Sequence, residues 1–140
     1  MGSIRVLIVD DHEIFRRGTR SLLESSREMA VCGEAASGQE AIEKAKELQP
    51  DVILMDISMI GMSGLEATRL VRTEVPKSKV IILSQHDSDQ ISSAAIKVGA
   101  SAYVTKSQVA QELLSAIESV VKGQPFGSGQ ENTPRLSTEN

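Results

Sequence analysis

Five side chains in this sequence have the types and spacing to do chemistry together: Asp10, Asp11, Asp56, Ser84 and Lys106. Each follows a short apolar run. Val6-Leu7-Ile8-Val9 precedes Asp10, Leu54-Met55 precedes Asp56, Val80-Ile81-Ile82-Leu83 precedes Ser84, and Tyr103-Val104 lies just before Lys106. Taken singly, an aspartate after such a run is ordinarily a turn or capping residue. Gathered at one edge, the set reads differently. Two like charges about 4 Å apart repel by on the order of 4 kcal/mol at an effective dielectric near 20. Clustered carboxylates therefore bind a cation or carry a raised pKa. The donors are all oxygens, which favours a hard ion such as Mg²⁺ that keeps several waters and recruits a phosphate. A carboxylate is itself a nucleophile toward phosphorus. Lys106 offers a second positive contact and Ser84 a hydrogen bond, and phosphoryl transfer needs little beyond such positioning.

The elements that must position these residues are legible as alternating patterns. Ile4–Val9, Met29–Ala35, Val52–Met55, Lys79–Leu83 and Ala102–Val104 read as strands, and continuous apolar runs suit strands covered on both faces. Between them lie helical stretches. Ser37 with Glu40 and Ser63 with Glu66 have capping-box spacing, and Asp87 with Gln90 resembles it. Ala41, Ile42, Ala45 and Leu48 form one apolar stripe, and Ile91, Ala94, Ala95 and Val98 another. Glu13–Ser25 and Ser107–Lys122 complete the set, the latter with Leu113, Leu114, Ile117, Val120 and Val121 on a strongly apolar face. The expected fold is α/β, a doubly wound five-stranded parallel sheet with five helices. Ligands of such folds bind beyond the carboxyl ends of the strands, where all five candidate residues fall.

Composition narrows the classes. The 140 residues suit one domain, and 15 Lys+Arg against 19 Asp+Glu give a net charge of −4, so no basic field invites nucleic acid or anionic lipid. The aromatic residues are Phe15, Tyr103 and Phe126, too few for a base-stacking platform. The single cysteine, Cys32, excludes an internal disulfide and reads as a buried small apolar residue. No apolar run approaches the roughly 20 residues of a membrane span, and the expected location is cytoplasmic. Residues 4–122 carry the pattern of a domain. Residues 123–140, rich in Gly, Ser, Pro, Gln, Asn and Thr, read as a linker or tail.

The wording of the motifs resembles a known family. Val6-Leu7-Ile8-Val9-Asp10-Asp11-His12, Leu54-Met55-Asp56-Ile57, Met62-Ser63-Gly64-Leu65-Glu66, Ile82-Leu83-Ser84 and Gly99-Ala100-Ser101-Ala102-Tyr103-Val104-Thr105-Lys106 are similar to the response-regulator receiver domain of two-component systems. Within it they are most similar to the NarL/LuxR type. The resemblance implies a flavodoxin-like sheet of order 2-1-3-4-5. It implies Asp56 as phosphoacceptor from a sensor histidine kinase or phosphotransfer protein. Mg²⁺ would be held by Asp11, Asp56 and the backbone carbonyl of Ser58, with Asp10 acting through water. Lys106 would contact the phosphate, and Ser84 and Tyr103 would be the paired switch residues. The helix from Asp87, the last strand and the helix from Ser107 would form the output surface, which a homodimer formed on phosphorylation can use.

Two positions depart from the family pattern. Ile60 stands where proline is usual, which restores an amide hydrogen and frees φ. Gln85, after the switch hydroxyl, replaces a smaller residue. His12 reads as the residue that starts the first helix, and His86 as a loop residue at the site rim.

Other functions fit less well. An aspartate-nucleophile phosphatase of the haloacid dehalogenase type resembles Asp-x-Asp at its nucleophile, whereas Asp56-Ile57-Ser58 lacks the second acid. A nucleotide-binding domain needs a glycine-rich phosphate loop, which is missing. The expectation is a signalling switch rather than a turnover enzyme. NarL/LuxR-type regulators join the receiver to a helix-turn-helix module, and Arg135-Leu136-Ser137-Thr138-Glu139 faintly resembles its opening. The sequence thus reads as the receiver of a longer DNA-binding regulator, with no nucleic acid bound by this chain alone. The alternative is a stand-alone receiver acting through protein partners.

Overall fold

Helix-capping serines and uninterrupted apolar runs produce a strict alternation in the computed structural model, which describes residues 3–124 and 126–127. In chain order the elements are β1 (Ile4–Val9), α1 (Glu13–Glu24), β2 (Met29–Ala35), α2 (Gly38–Leu48), β3 (Val52–Asp56) and α3 (Gly64–Glu74). They continue with β4 (Lys79–Ser84), α4 (Asp89–Lys97), β5 (Ala102–Thr105), a 3-10 turn (Lys106–Gln108), α5 (Val109–Val121) and β6 (Phe126–Gly127). The sheet is parallel with order β2-β1-β3-β4-β5-β6. Its first five strands have the expected order 2-1-3-4-5.

The two-residue β6 is an addition to the sequence reading. Its backbone pairs with Ala102 and Tyr103 of β5. Flanking glycine and proline hide so short an extended pair from any periodicity argument. The rest of the segment expected as linker or tail, Arg135–Glu139 included, lies outside the described residues.

The period of two along each strand splits the interior into two cores. Leu7, Val9, Ile53, Met55, Val80 and Ile82 face α2, α3 and α4, where Ala41, Ala45, Ala67, Val71 and Ala95 meet them. Val6, Ile8, Leu54, Ile81, Leu83 and Val104 face the other way, onto Leu23 of α1 and Val109, Leu113, Ile117 and Val120 of α5. Removing most of one such fully buried side chain costs about 2–5 kcal/mol. Cys32 is only half-buried, beside the irregularity in the β1–β2 register between Val6 and Leu7.

Local rules account for most boundaries. Ser37 accepts from the Glu40 amide at 3.1 Å and Ser63 from the Glu66 amide at 3.2 Å, as the capping spacing predicts. At α4 the cap is Ser88, which accepts from the Ile91 amide at 3.3 Å, rather than Asp87. Two adjacent residues of cap-forming type make that start ambiguous by one position. Strands β3 and β4 each extend one residue beyond the apolar run, so Asp56 and Ser84 are the last rungs of their strands. This matters for chemistry. The register pairs Asp56 with Leu83 and Ser84 with Thr105, which fixes both backbones in the sheet.

Candidate functional site

The carboxyl edge brings Asp10, Asp11, Asp56 and Lys106 together. Asp10 and Asp56 are each 1% exposed, and Asp11 is partly exposed. The Lys106 ammonium lies 3.0 Å from Asp10 Oδ2 and 3.5 Å from Asp56 Oδ2. It also sits 4.3 Å from the centre of the Phe15 ring, a cation–π contact that ties the charge to α1. Burial, then the neighbouring Asp10 charge, push the Asp56 carboxyl up to about 6, with Lys106 pulling the other way. At neutral pH Asp56 is therefore mostly ionised, at an energetic cost that a cation would relieve.

Backbone amides orient the carboxylates. Asp10 Oδ1 accepts from the His12 amide at 2.8 Å, and Asp56 Oδ1 from the Ser58 amide at 3.3 Å. Asp11 Oδ2 accepts from the Ile60 amide at 3.3 Å. A proline at position 60 has no such hydrogen, so this departure from the family pattern adds a contact at the site itself. Two carboxylate oxygens remain without hydrogen-bond partners although fully buried: Asp11 Oδ1 and Asp56 Oδ2. Ligand atoms of Asp10, Asp11, His12 and Asp56 all lie within 4.8 Å of one another. Buried carboxylate oxygens that lack hydrogen bonds and lie this close together are what a hard dication such as Mg²⁺ needs, so the residues fit that ion.

The two expected switch hydroxyls bond to backbone groups of the β4–α4 loop. Ser84 Oγ accepts from the His86 amide at 3.1 Å and donates to the His86 carbonyl at 3.1 Å. Tyr103 is buried, and its hydroxyl donates to that same His86 carbonyl. The Tyr103 oxygen in turn accepts from the Ser88 amide, the cap of α4, at 3.3 Å. Gln85 and His86 are exposed at the rim. One carbonyl thus joins the ends of β4 and β5 to the start of α4.

Sequence reasoning gives three residues of the site no part in it. His12 does start α1, but its ring makes no cap bond and instead stands over the acidic cluster. Arg16 donates to the Asp10 carbonyl and pairs with Glu34 of β2 at 2.7 Å, tying the β1–α1 loop to the neighbouring strand. A helical arginine one turn past the aspartates is the signal the sequence offers for it. Gly64 begins α3 so close to β3 that an added Cβ would lie 2.1 Å from the Asp56 carbonyl oxygen. Its amide donates to the Ile57 carbonyl at 3.0 Å, so only glycine lets α3 start there.

A doubly wound parallel sheet with aspartates and one lysine at its carboxyl edge defines the receiver class of signalling domains. The model of the response regulator receiver domain matches residues 6–118. The chain belongs to this family, the receiver domains of two-component response regulators, and is related to its LuxR/NarL members. It is 43% identical over 122 residues to the transcriptional regulatory protein LiaR of Bacillus subtilis, covering 87% of this chain and 58% of that one. With the response regulator UvrY of Escherichia coli the identity is 41% over 123 residues, or 88% of this chain and 56% of the other. The chain therefore spans somewhat over half the length of these relatives. Among solved structures, a LuxR-family response regulator from Aurantimonas sp. superposes with TM-score 0.85 at 38% identity, covering 89% of each chain. The signal receiver domain of a NarL response regulator from Mycobacterium tuberculosis gives 0.84 at 34%, covering 89% of this chain and all of that one. These relatives are signalling proteins rather than turnover enzymes. No helix among the described residues is long and apolar enough to cross a membrane.

Proposed function

We propose that this receiver is a phosphorylation switch in which Asp56 takes a phosphoryl group from a phosphohistidine of a sensor kinase or phosphotransfer protein. The observation that carries this is the Asp56 carboxylate: 1% exposed, its Oδ2 without a hydrogen bond, and an ammonium facing that oxygen at 3.5 Å. A carboxylate oxygen of Asp56 forms the new O–P bond as the donor's N–P bond breaks, and the donor imidazole leaves with the electron pair. Mg²⁺, held by Asp11, Asp56 and the Ser58 carbonyl with Asp10 acting through water, would neutralise charge on the phosphoryl oxygens. Lys106 moves its contact from Asp56 to the transferred group. Water later hydrolyses the acyl phosphate and resets the switch.

Ser84 and Tyr103 carry the change outward. To reach a phosphoryl oxygen, Ser84 Oγ must stop donating to the His86 carbonyl, which leaves Tyr103 as the remaining side-chain donor on that acceptor. Because Tyr103 also receives the Ser88 amide, the start of α4 feels the exchange. The output surface is α4, β5 and α5, with residues 4–122 as the receiver and 123–140 as the connecting segment. A relative is a transcriptional regulatory protein, which supports DNA binding by a further module of the full-length regulator, with phosphorylation-driven pairing of receivers as the trigger.

Intact mass after treatment with a small phosphodonor and Mg²⁺ tests the reading. One phosphoryl group per chain is expected, absent without the ion and absent in Asp56→Asn. Unchanged uptake in Asp56→Asn would overturn it. Lys106→Ala should still fold yet lose most phosphorylation-dependent output, since its charge lies at the sheet edge and not in either core.

A further inference from the structure

His12 is the residue of this pocket that the phosphorylation reading leaves without a task. Its Nδ1 lies 3.2 Å from Asp11 Oδ1, 3.3 Å from Asp10 Oδ1 and 3.9 Å from Asp56 Oδ2. Two of those three residues carry the buried oxygens that have no hydrogen-bond partner, and Asp56 is 1% exposed. The ring itself is 58% exposed and gives α1 no cap bond; its Nδ1 instead hydrogen-bonds Asp10 Oδ1, so the carboxylates and not the helix set its position. Neighbouring donors on one six-coordinate ion with bonds of about 2.1 Å stand about 3 Å apart, and opposite donors about 4.2 Å. The spacings of Nδ1 from the carboxylate oxygens fall in that range.

We infer that the His12 imidazole is an additional ligand of this pocket, so that the site discriminates among dications. Borderline transition-metal ions such as Zn²⁺ would engage Nδ1 together with the carboxylates, whereas Mg²⁺ uses the oxygens alone. The chemistry follows from donor softness: imidazole suits Zn, Cu, Fe and Ni, while carboxylate, carbonyl and water suit Mg. On coordination the ring would be the neutral form with its proton on Nε2, leaving the Nδ1 lone pair for the ion in place of the hydrogen bond to Asp10. This inference rests on the reading of the pocket as a cation site.

Calorimetric titration of Mg²⁺, Mn²⁺ and Zn²⁺ into the parent chain, His12→Ala, His12→Phe and His86→Ala tests it. An oxygen-only pocket already favours Zn²⁺ over Mg²⁺, so the signature is the change caused by each substitution and not the ranking of the ions. The expected result is a loss of at least about tenfold for Zn²⁺ in both His12 variants, the scale on which even outer partners of metal ligands act. Mg²⁺ affinity should stay within about twofold and Mn²⁺ fall between the two. The imidazole ¹⁵N spectrum should show His12 Nδ1 shifting on Zn²⁺ addition. Equal losses for Zn²⁺ and Mg²⁺, an unshifted Nδ1, or a loss in His86→Ala as large as in His12→Ala would each overturn the ligand role. A parent that binds no dication would overturn the cation-site reading as well, so the two failures are distinguishable.

Discussion

The two ends of the sheet treat polar groups in opposite ways. At the amino end, the Arg5 amide donates to Asp51 Oδ2 at 2.8 Å, and the Arg5 guanidinium to the Gln49 carbonyl at 3.0 Å. There the buried Ser78 hydroxyl donates to the Pro50 carbonyl at 2.6 Å, and Arg72 donates to the carbonyls of Pro76 and Ser78. At the carboxyl end, two buried carboxylate oxygens have no hydrogen-bond partner, and two of the three acids share one lysine. The amino end spends its polar groups on closing loops, and the carboxyl end holds them ready for something from outside. A protein departs from local consistency where it functions, and here the departure is confined to one edge.

Gly64→Ala would break that division if site and scaffold are inseparable at the reactive end. The new Cβ meets the Asp56 carbonyl oxygen at 2.1 Å, which is backbone and cannot step aside. A loss of about 3 kcal/mol is expected, at the upper end of ordinary overpacking, read as a drop in the urea midpoint. Second in size is Asp56→Asn, which should stabilise the ion-free protein by about 2 kcal/mol at neutral pH. The sign follows from the raised pKa: between the ordinary carboxylate value and about 6 the folded chain keeps a proton that the unfolded chain releases. Stability of the parent therefore falls as pH rises through that window, and the advantage of Asp56→Asn grows over the same range. Denaturation curves at pH 4 and pH 7 check it; an equal difference at both values would mean that Asp56 is not strained.

At the amino end the expected sign is opposite to that of Asp56→Asn. Ser78→Ala leaves the buried Pro50 carbonyl without its donor and should cost about 1–2 kcal/mol, with phosphoryl uptake by Asp56 unaltered. Intact mass and thermal melting together separate these effects. The smallest effect is Ile60→Pro, which removes the amide donated to Asp11 Oδ2. Cation affinity should fall a few-fold, about 0.5–1 kcal/mol, while Ile60→Ala retains parental affinity. Equal affinity in all three would show that the amide does not position Asp11.

Much of this molecule is legible in its sequence because its demands are local. A strand covered on both faces must be apolar throughout, which exposes Val6–Val9 and Val80–Leu83 to view, and Ser37 and Ser63 announce the helices they cap. The site's acids are legible because they follow those strands. What sequence could not reach is contact between distant segments. Arg16 matters through the Asp10 carbonyl and Glu34, Phe15 through the Lys106 ammonium, and His12 through a carboxylate 44 positions away. Gly64 is part of a recognisable motif, yet its reason, the carbonyl oxygen of Asp56, appears only when α3 is laid against β3. The cap of α4 slipped by one residue because Asp87 and Ser88 both have side chains suited to the task.

The sheet also acts as a bulkhead. Among the described residues, the buried side chains of its two faces form separate clusters, with Leu7 and Val9 packed toward α2–α4 and Val6 and Ile8 toward α1 and α5. Substitutions on opposite faces should therefore combine additively, within the few tenths of a kcal/mol typical of independent sites. Lineages of this domain can consequently retune one face by trial and error while the other keeps its fit. Helix α1 is then free to change its surface without forcing compensating changes in α4.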